Sequence, residues 1–184
     1  MPGLVLLNGG PAVDKSTIAR LWAARRPLGL ALDIDVVRAL LPSWQNDPEA
    51  AGLAARDLAA AMIRVHLEWG RDVIVPQYLA RPEFIDRLNR LADEAGVPFT
   101  HVVLTESAQV TEQRFRTRAQ RSVDDPARPV LQGDLGAESM STLLREHDRF
   151  LRTRPEAVFV AAIDGDLPAT LERLDAVIDG RGRD

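Results

Sequence analysis

Leu4-Val5-Leu6-Leu7-Asn8-Gly9-Gly10-Pro11-Ala12-Val13-Asp14-Lys15-Ser16-Thr17 decides the fold. Four consecutive apolar residues, one polar residue and then glycine read as a strand buried on both faces. No basic n-region precedes them, so they do not read as a signal peptide. Residues 16–26 take helical spacing after the glycine turn. Strand, turn and helix in that order are the context in which G-x-x-x-x-G-K-[ST] cradles phosphates. Every fixed position of that pattern is met but one: Asp14 stands where the second glycine belongs.

Lysine and arginine together number 23, and Lys15 is the sole lysine, leaving 22 arginines. A chain so biased would fill an ordinary cationic position with arginine. A compact ammonium on a flexible stem is kept at one place, where a phosphate loop puts its lysine. The backbone N–H groups of Gly9, Gly10, Pro11 (which has none), Ala12, Val13, Asp14, Lys15, Ser16 and Thr17 surround that place, facing the positive end of the following helix. Lys15 would bridge β- and γ-phosphate oxygens, and Ser16 would offer its hydroxyl to Mg²⁺. Thr17 packs in the first helical turn. The competing reading is a strand–turn–helix corner with no ligand. Asp14 bears on both readings. The position before the lysine is expected to need a left-handed backbone, which aspartate is among the few non-glycine residues to tolerate. Its carboxylate, about 4 Å from a phosphate charge, would cost roughly 1 kcal/mol in bulk water and about 4 at an effective dielectric of 20.

Outward from the loop, the chain of 184 residues alternates strand-like and helix-like segments. Strands are expected at 30–35, 72–76, 99–104 and 157–163. Helices are expected at 48–69, 82–95, 108–121, 138–152 and 168–178. Leu53, Leu58, Met62, Val65 and Trp69 carry the helical spacing of the first of these helices, and Gly96 is the expected C′ residue of the second. Residues 122–136 hold two Pro, two Gly and three Asp and read as a long loop. Strands alternating with helices predict a parallel sheet covered on both faces, an α/β sandwich of three layers in one domain spanning 1–184.

Composition narrows the function classes. Hydrophobic residues make up 46% and charged residues 27%, so a substantial core forms. The net charge of −4 gives no support for a surface that coats nucleic acid and leaves a local basic groove open. There is no cysteine, so disulfides and Cys-based zinc sites are excluded, and a cytoplasmic location is compatible. No apolar stretch approaches a membrane span. His66, His101 and His147 show no metal-ligand or triad spacing and are read as core or surface residues. Trp22, Trp44 and Trp69 are read as packing residues.

Asp33-Ile34-Asp35-Val36-Val37-Arg38 closes the second expected strand. Alternation would put Asp33 and Asp35 on one face, at the carboxyl edge of a parallel sheet beside the phosphate loop. Phosphoryl transfer to a hydroxyl needs a carboxylate to orient and deprotonate the acceptor. An arginine one turn on can hold an anionic group of a substrate. The alternative is Asp35 as a helix N-cap with Arg38 on a solvated face. Arg81, after the third strand, faces either the crevice or solvent at a helix start. Arg114, Arg118 and Arg121 share a helical face by spacings of 4 and 3, with Arg116 and Arg128 close in sequence. Taken alone they form a solvated stripe paired with Glu112, Asp124 and Asp125.

The phosphate loop, followed by Asp35-x-x-Arg38 with Asp35 twenty residues after Lys15, resembles the P-loop kinases that include the 5′-hydroxyl polynucleotide kinases, the chloramphenicol phosphotransferases and the zeta toxins. The resemblance is specific over 4–38. It implies the nucleoside-monophosphate-kinase kind of fold, five parallel strands in the order 2-3-1-4-5. It implies Asp35 as catalytic base, Asp33 as a ligand to Mg²⁺ through water, and Arg38 as a substrate-binding residue. It also implies a lid over 114–136 whose Arg118 and Arg121 close over the phosphates. Where many relatives carry an acid after the third strand, this chain has Pro76-Gln77-Tyr78. The expected function is ATP- and Mg²⁺-dependent phosphorylation of a hydroxyl on a small molecule, antibiotic or nucleoside-like. A polynucleotide end is a poorer acceptor, since the acidic balance gives a phosphate backbone little to grip. The rival is a non-catalytic nucleotide-binding protein whose loop Asp14 has disabled. A GTPase-like switch ranks last, because no Asn/Thr-Lys-x-Asp motif is present.

Overall fold

The computed structural model describes residues 2–10, 13–106, 137–163 and 165–181. Within them the order is β1 (Leu4–Gly9), α1 (Lys15–Ala24), β2 (Leu30–Ala31), α2 (Ile34–Ala39), a single 3-10 turn (Trp44–Asn46), α3 (Pro48–Glu68), β3 (Val73–Pro76), α4 (Pro82–Ala95), β4 (Phe99–Thr105), α5 (Ala137–Leu151), β5 (Val158–Ala161) and α6 (Leu167–Arg181). The expected helix at 108–121 and loop at 122–136 lie outside the described residues.

The five strands form one parallel sheet in the order β2-β3-β1-β4-β5. β1 is central, with Leu7 in register with Pro76 on one side and Val102 on the other. Its alternation divides the core. Leu4 and Leu6 pack under α2, α3 and α4, while Val5 and Leu7 pack against Ile18, Ala19 and Trp22 of α1 and Leu171 and Leu174 of α6. α5 adds Leu151 beside Val103 of β4. The result is the three-layer sandwich that the alternation of elements predicts. Gly96 ends α4 in the left-handed conformation, φ 65°, as a C′ glycine does.

Two sequence expectations are corrected. β2 stops at Ala31, so Asp33 and Asp35 are not alternate residues of a strand. Asp33 instead caps α2: its side chain accepts from the Asp35 N–H, and this capping bond starts the helix early. The helix that Leu53, Leu58, Met62 and Val65 mark by their spacing is present as α3, but their face points outward, and they and the C-cap Trp69, read as a packing residue, are all exposed. The buried face is Ala51, Ala55, Ala59, Ala60, Ile63 and Leu67. Small side chains let α3 lie close against its neighbours, and close approach decides the packing face here rather than side-chain size. Trp22 is fully buried, so the three tryptophans do not share one packing role. Among the described residues no helix is long and apolar enough to cross a membrane.

Candidate active site

The carboxyl ends of β1 and β3 and the N-termini of α1 and α2 converge. Gly9 ends β1 at φ 149°, and a Cβ there would sit 2.5 Å from the Leu104 carbonyl oxygen of β4. Only glycine fits, so the chain can leave the sheet at this point. Val13 is buried in the α1 side of the core. Asp14 is the N-cap of α1 with φ −68° and ψ 40°. The expected left-handed backbone is therefore absent. The Lys15 N–H reaches the Val13 carbonyl at 2.6 Å, a turn that needs no positive φ at Asp14. Pro11 and Ala12 lie outside the described residues. Thr17 is half-buried in the first turn of α1.

Lys15 is buried, and its Nζ donates to the carbonyl oxygens of Gly9 at 3.0 Å and Gly10 at 2.6 Å. The ammonium is thus held against the backbone where the chain leaves β1. Ser16 Oγ donates to Asp33 Oδ2 at 2.8 Å. Asp33 Oδ1 accepts from the Asp35 N–H at 3.0 Å. Asp35 follows on the first turn of α2, and its Oδ1 pairs with Arg38 Nη2 at 3.1 Å. The Arg38 guanidinium lies 4.7 Å over the Trp44 ring, which fixes its reach. The structure therefore brings Lys15, Ser16, Asp33, Asp35 and Arg38 together. The N-cap is Asp33 and not Asp35, and Arg38 is paired, not solvated. Arg81 is exposed at the N-cap of α4. Arg118 and Arg121 lie outside the described residues.

Burial raises the pKa of Asp35 above the usual carboxylate value. The Arg38 charge opposes that rise, Asp33 adds to it, and Lys15 and Arg56 lower it again. A carboxylate whose proton affinity is raised by burial, yet kept near three cations, suits proton abstraction. Among the described residues no group of three or more His, Cys, Asp or Glu could hold a metal ion. Ser16 Oγ and Asp33 Oδ2 are two hard oxygens in contact, the set that Mg²⁺ takes when phosphates and waters complete its shell. They fit the ion. Gln77, just after β3, has its Oε1 buried with no partner among the described residues.

Sequence reading missed three parts of this site. Arg56 reaches the Asp35 field from α3, and no motif marks it. Trp44 serves Arg38 and not the core. Asn8 is fully buried behind the loop. A lone polar residue inside an apolar strand was the signal for it.

Family comparison rests on the same segment. The family model AAA_33, described as an AAA domain, matches residues 4–134. The chain belongs to this family. No curated protein gives a significant sequence match. Solved structures of similar fold include a shikimate kinase from Acinetobacter baumannii in complex with shikimate, TM-score 0.66 at 15% identity over 100% of this chain and 97% of that one. The Mycobacterium tuberculosis APS kinase CysC in complex with AMPPNP and APS gives 0.63 at 14% identity, over 97% and 98%. A Deinococcus radiodurans tunicamycin resistance protein gives 0.62 at 14% identity, over 96% of each chain. At such identities the likeness is one of fold: this AAA-domain protein has the P-loop kinase fold, with the strand order the resemblance implied.

Proposed function

We propose that the protein is an ATP-dependent phosphotransferase acting on a hydroxyl group of a small molecule in the cytoplasm. One observation carries the reading: the chain of contacts from Ser16 through Asp33 to Asp35 sets a candidate base beside a phosphate loop with its lysine in place. Similar folds are named for shikimate kinase and APS kinase, which supports a small-molecule acceptor over a polynucleotide end.

The loop 9–17 would hold the β- and γ-phosphates, with Lys15 Nζ turning from the Gly9 and Gly10 carbonyls to phosphate oxygens. Ser16 and Asp33 would hold Mg²⁺, which offsets phosphate charge when bound. Asp35 takes the proton of the acceptor hydroxyl as that oxygen bonds to the γ-phosphorus and the bond to the ADP oxygen breaks. Arg38, stacked on Trp44, orients an anionic or polar group of the acceptor. Arg118 and Arg121 would neutralise the transferring phosphoryl group.

Nucleotide binding without transfer is the second reading, favoured by the Asp14 carboxylate at the mouth of the loop. Melting curves with Mg-ATP and Mg-GTP, followed by a hydroxyl-acceptor screen, separate the two. Mg-ATP should raise the melting temperature, and a phosphorylated acceptor should form. Lys15→Ala should abolish transfer with the fold intact. An unchanged rate in that variant overturns the phosphate-loop assignment, and binding with no acceptor phosphorylated favours the second reading.

A further inference from the structure

The buried polar cluster behind the loop is used by nothing above. Asn8 Oδ1 accepts from the N–H groups of Gly9 at 2.8 Å and Leu79 at 3.0 Å, and Nδ2 donates to the Leu79 carbonyl at 3.0 Å. Two backbone donors and one backbone acceptor fix which end of the carboxamide is oxygen. His147 Nε2, 3.2 Å from Oδ1, must then carry a proton and donate. His101 Nε2, 3.3 Å from Nδ2, must accept. The network thus assigns opposite tautomers to the two rings, with His147 also hydrogen-bonded to the Leu79 backbone and His101 Nδ1 buried without a partner among the described residues.

α5 bears on the loop at two more points. Leu144 Cδ2 lies 3.1 Å from where a Cβ on Gly10 would sit. The Tyr78 hydroxyl donates to the Leu143 carbonyl at 3.4 Å, and its ring centre is 4.6 Å from that of His147. Gly9, whose N–H is held by Asn8, offers its carbonyl to Lys15 Nζ at 3.0 Å. A continuous path therefore runs from α5 through His147, Asn8 and Gly9 to Lys15.

We infer that His147 is a positioning residue for polyphosphate binding: its Nε2–H holds the Asn8 carboxamide, and through it the Gly9 backbone at the mouth of the phosphate loop. A polyphosphate is bound by backbone donors whose positions are set before it arrives, so the entry residue of the loop must be fixed from behind. Burial, aided by the Lys15 charge at His147 and the Arg154 charge at His101, keeps both imidazoles neutral, which preserves the donor and acceptor roles just described. The inference rests on the nucleotide-binding reading for its effect on affinity, though not for its effect on Gly9.

The test compares wild type, His147→Leu and His147→Gln. Amide exchange is followed by NMR in the ligand-free protein, and Mg-ADP affinity by calorimetry. In His147→Leu the Gly9 amide should exchange about tenfold faster and Mg-ADP should bind about tenfold more weakly, the scale of one lost buried hydrogen bond. Val5 and Val102 amides in the sheet should keep wild-type protection. His147→Gln, which restores a donor, should recover both to within about threefold. Unchanged Gly9 exchange overturns the inference, as does equal loss at Val5 and Val102, which marks general destabilisation. Imidazole ¹⁵N shifts in the wild type decide the matter if His147→Leu does not fold: an Nε2–H tautomer at His147 supports the inference, and an Nδ1–H tautomer overturns it. If the wild type fails to bind Mg-ADP, the proposed function falls, and Gly9 exchange with the tautomers still decides this point.

Discussion

Ser16 Oγ and Asp33 Oδ2 meet at 2.8 Å across 17 residues of sequence. The contact joins the phosphate-loop helix to the cap of α2, and Asp33 serves both ends. One oxygen accepts from Ser16, while the other accepts from the Asp35 N–H and starts the helix that carries Asp35. In the proposed function, Mg²⁺ ligation and base placement would therefore share one carboxylate.

Two variants separate those duties. Asn is as good an N-cap as Asp, so Asp33→Asn should keep the melting temperature close to wild type. It removes charge at the metal position and should raise the Mg²⁺ concentration needed for half-maximal rate. Asp33→Ala should show the same metal defect and also lose about 1 kcal/mol of capping, a drop of about 2–4 °C in a domain of this size. Rates titrated against Mg²⁺, with melting curves beside them, check both. Equal metal dependence in all three proteins would remove Asp33 from the metal site.

Asp35→Asn should lower turnover by about 10²-fold or more, the scale of a lost general base, with little change in ATP affinity. Stability should move the other way. The folded-state pKa of Asp35 lies above its ordinary value of 3.8, chiefly through burial. The stability linked to this group is thus fully present below that value and is lost as pH rises through the folded pKa. At pH 7 the asparagine variant, relieved of a buried charge, should melt above wild type. The gap should close as pH falls towards about 4. A variant that is both inactive and less stable at pH 7 would make Asp35 a structural partner of Arg38. If Asp33→Asn has the larger effect on turnover, the base is Asp33.

The two buried histidines should weaken the fold as pH falls. Desolvation lowers each from 6.5 to about 4, and for His147 the Lys15 charge adds to it. A depressed histidine pKa means that the unfolded chain binds the proton first. Stability from these groups is present above about pH 6.5 and is lost as pH falls through 6.5 towards 4. At about 1.36 kcal/mol per unit the loss at the low end is of order a few kcal/mol. Urea unfolding at pH 7.5, 5.5 and 4.5 should show this fall in wild type and a shallower one in His147→Gln. Parallel slopes in the two proteins would contradict it.

The sequence discloses most where local chemistry has no competitor. An apolar run into glycine and then Lys15 can be little but strand, loop and helix, and a strand buried on both faces follows from it, while its central place in the sheet comes only from the family resemblance. It misleads where tertiary packing chooses between options. Asp33 and Asp35 fit strand alternation, and a single capping bond turned that segment into a helix. α3 carries both a face of large apolar residues and a face of alanines, and the alanines are buried. Contacts of high sequence separation leave no local trace: His101 and His147 meet Asn8 from 93 and 139 residues away.

Asp14→Gly tests the one departure from the loop pattern. With φ at −68°, Asp14 is in no conformation that glycine would relieve. Any gain must therefore be electrostatic. Asp14 is partly exposed, so solvent screens its charge, and the gain in Mg-ATP affinity should be about 1 kcal/mol, several-fold and not hundreds-fold. It should shrink as salt rises, because the Debye length falls from about 10 Å at 0.1 M to about 3 Å at 1 M. Calorimetry on both proteins at two salt concentrations reads the difference directly. A salt-independent gain would locate the effect in the backbone after all. Weaker binding in the glycine variant would show that the carboxylate at the α1 N-terminus orders the loop or holds the metal, and that the loop is adapted to aspartate rather than impaired by it.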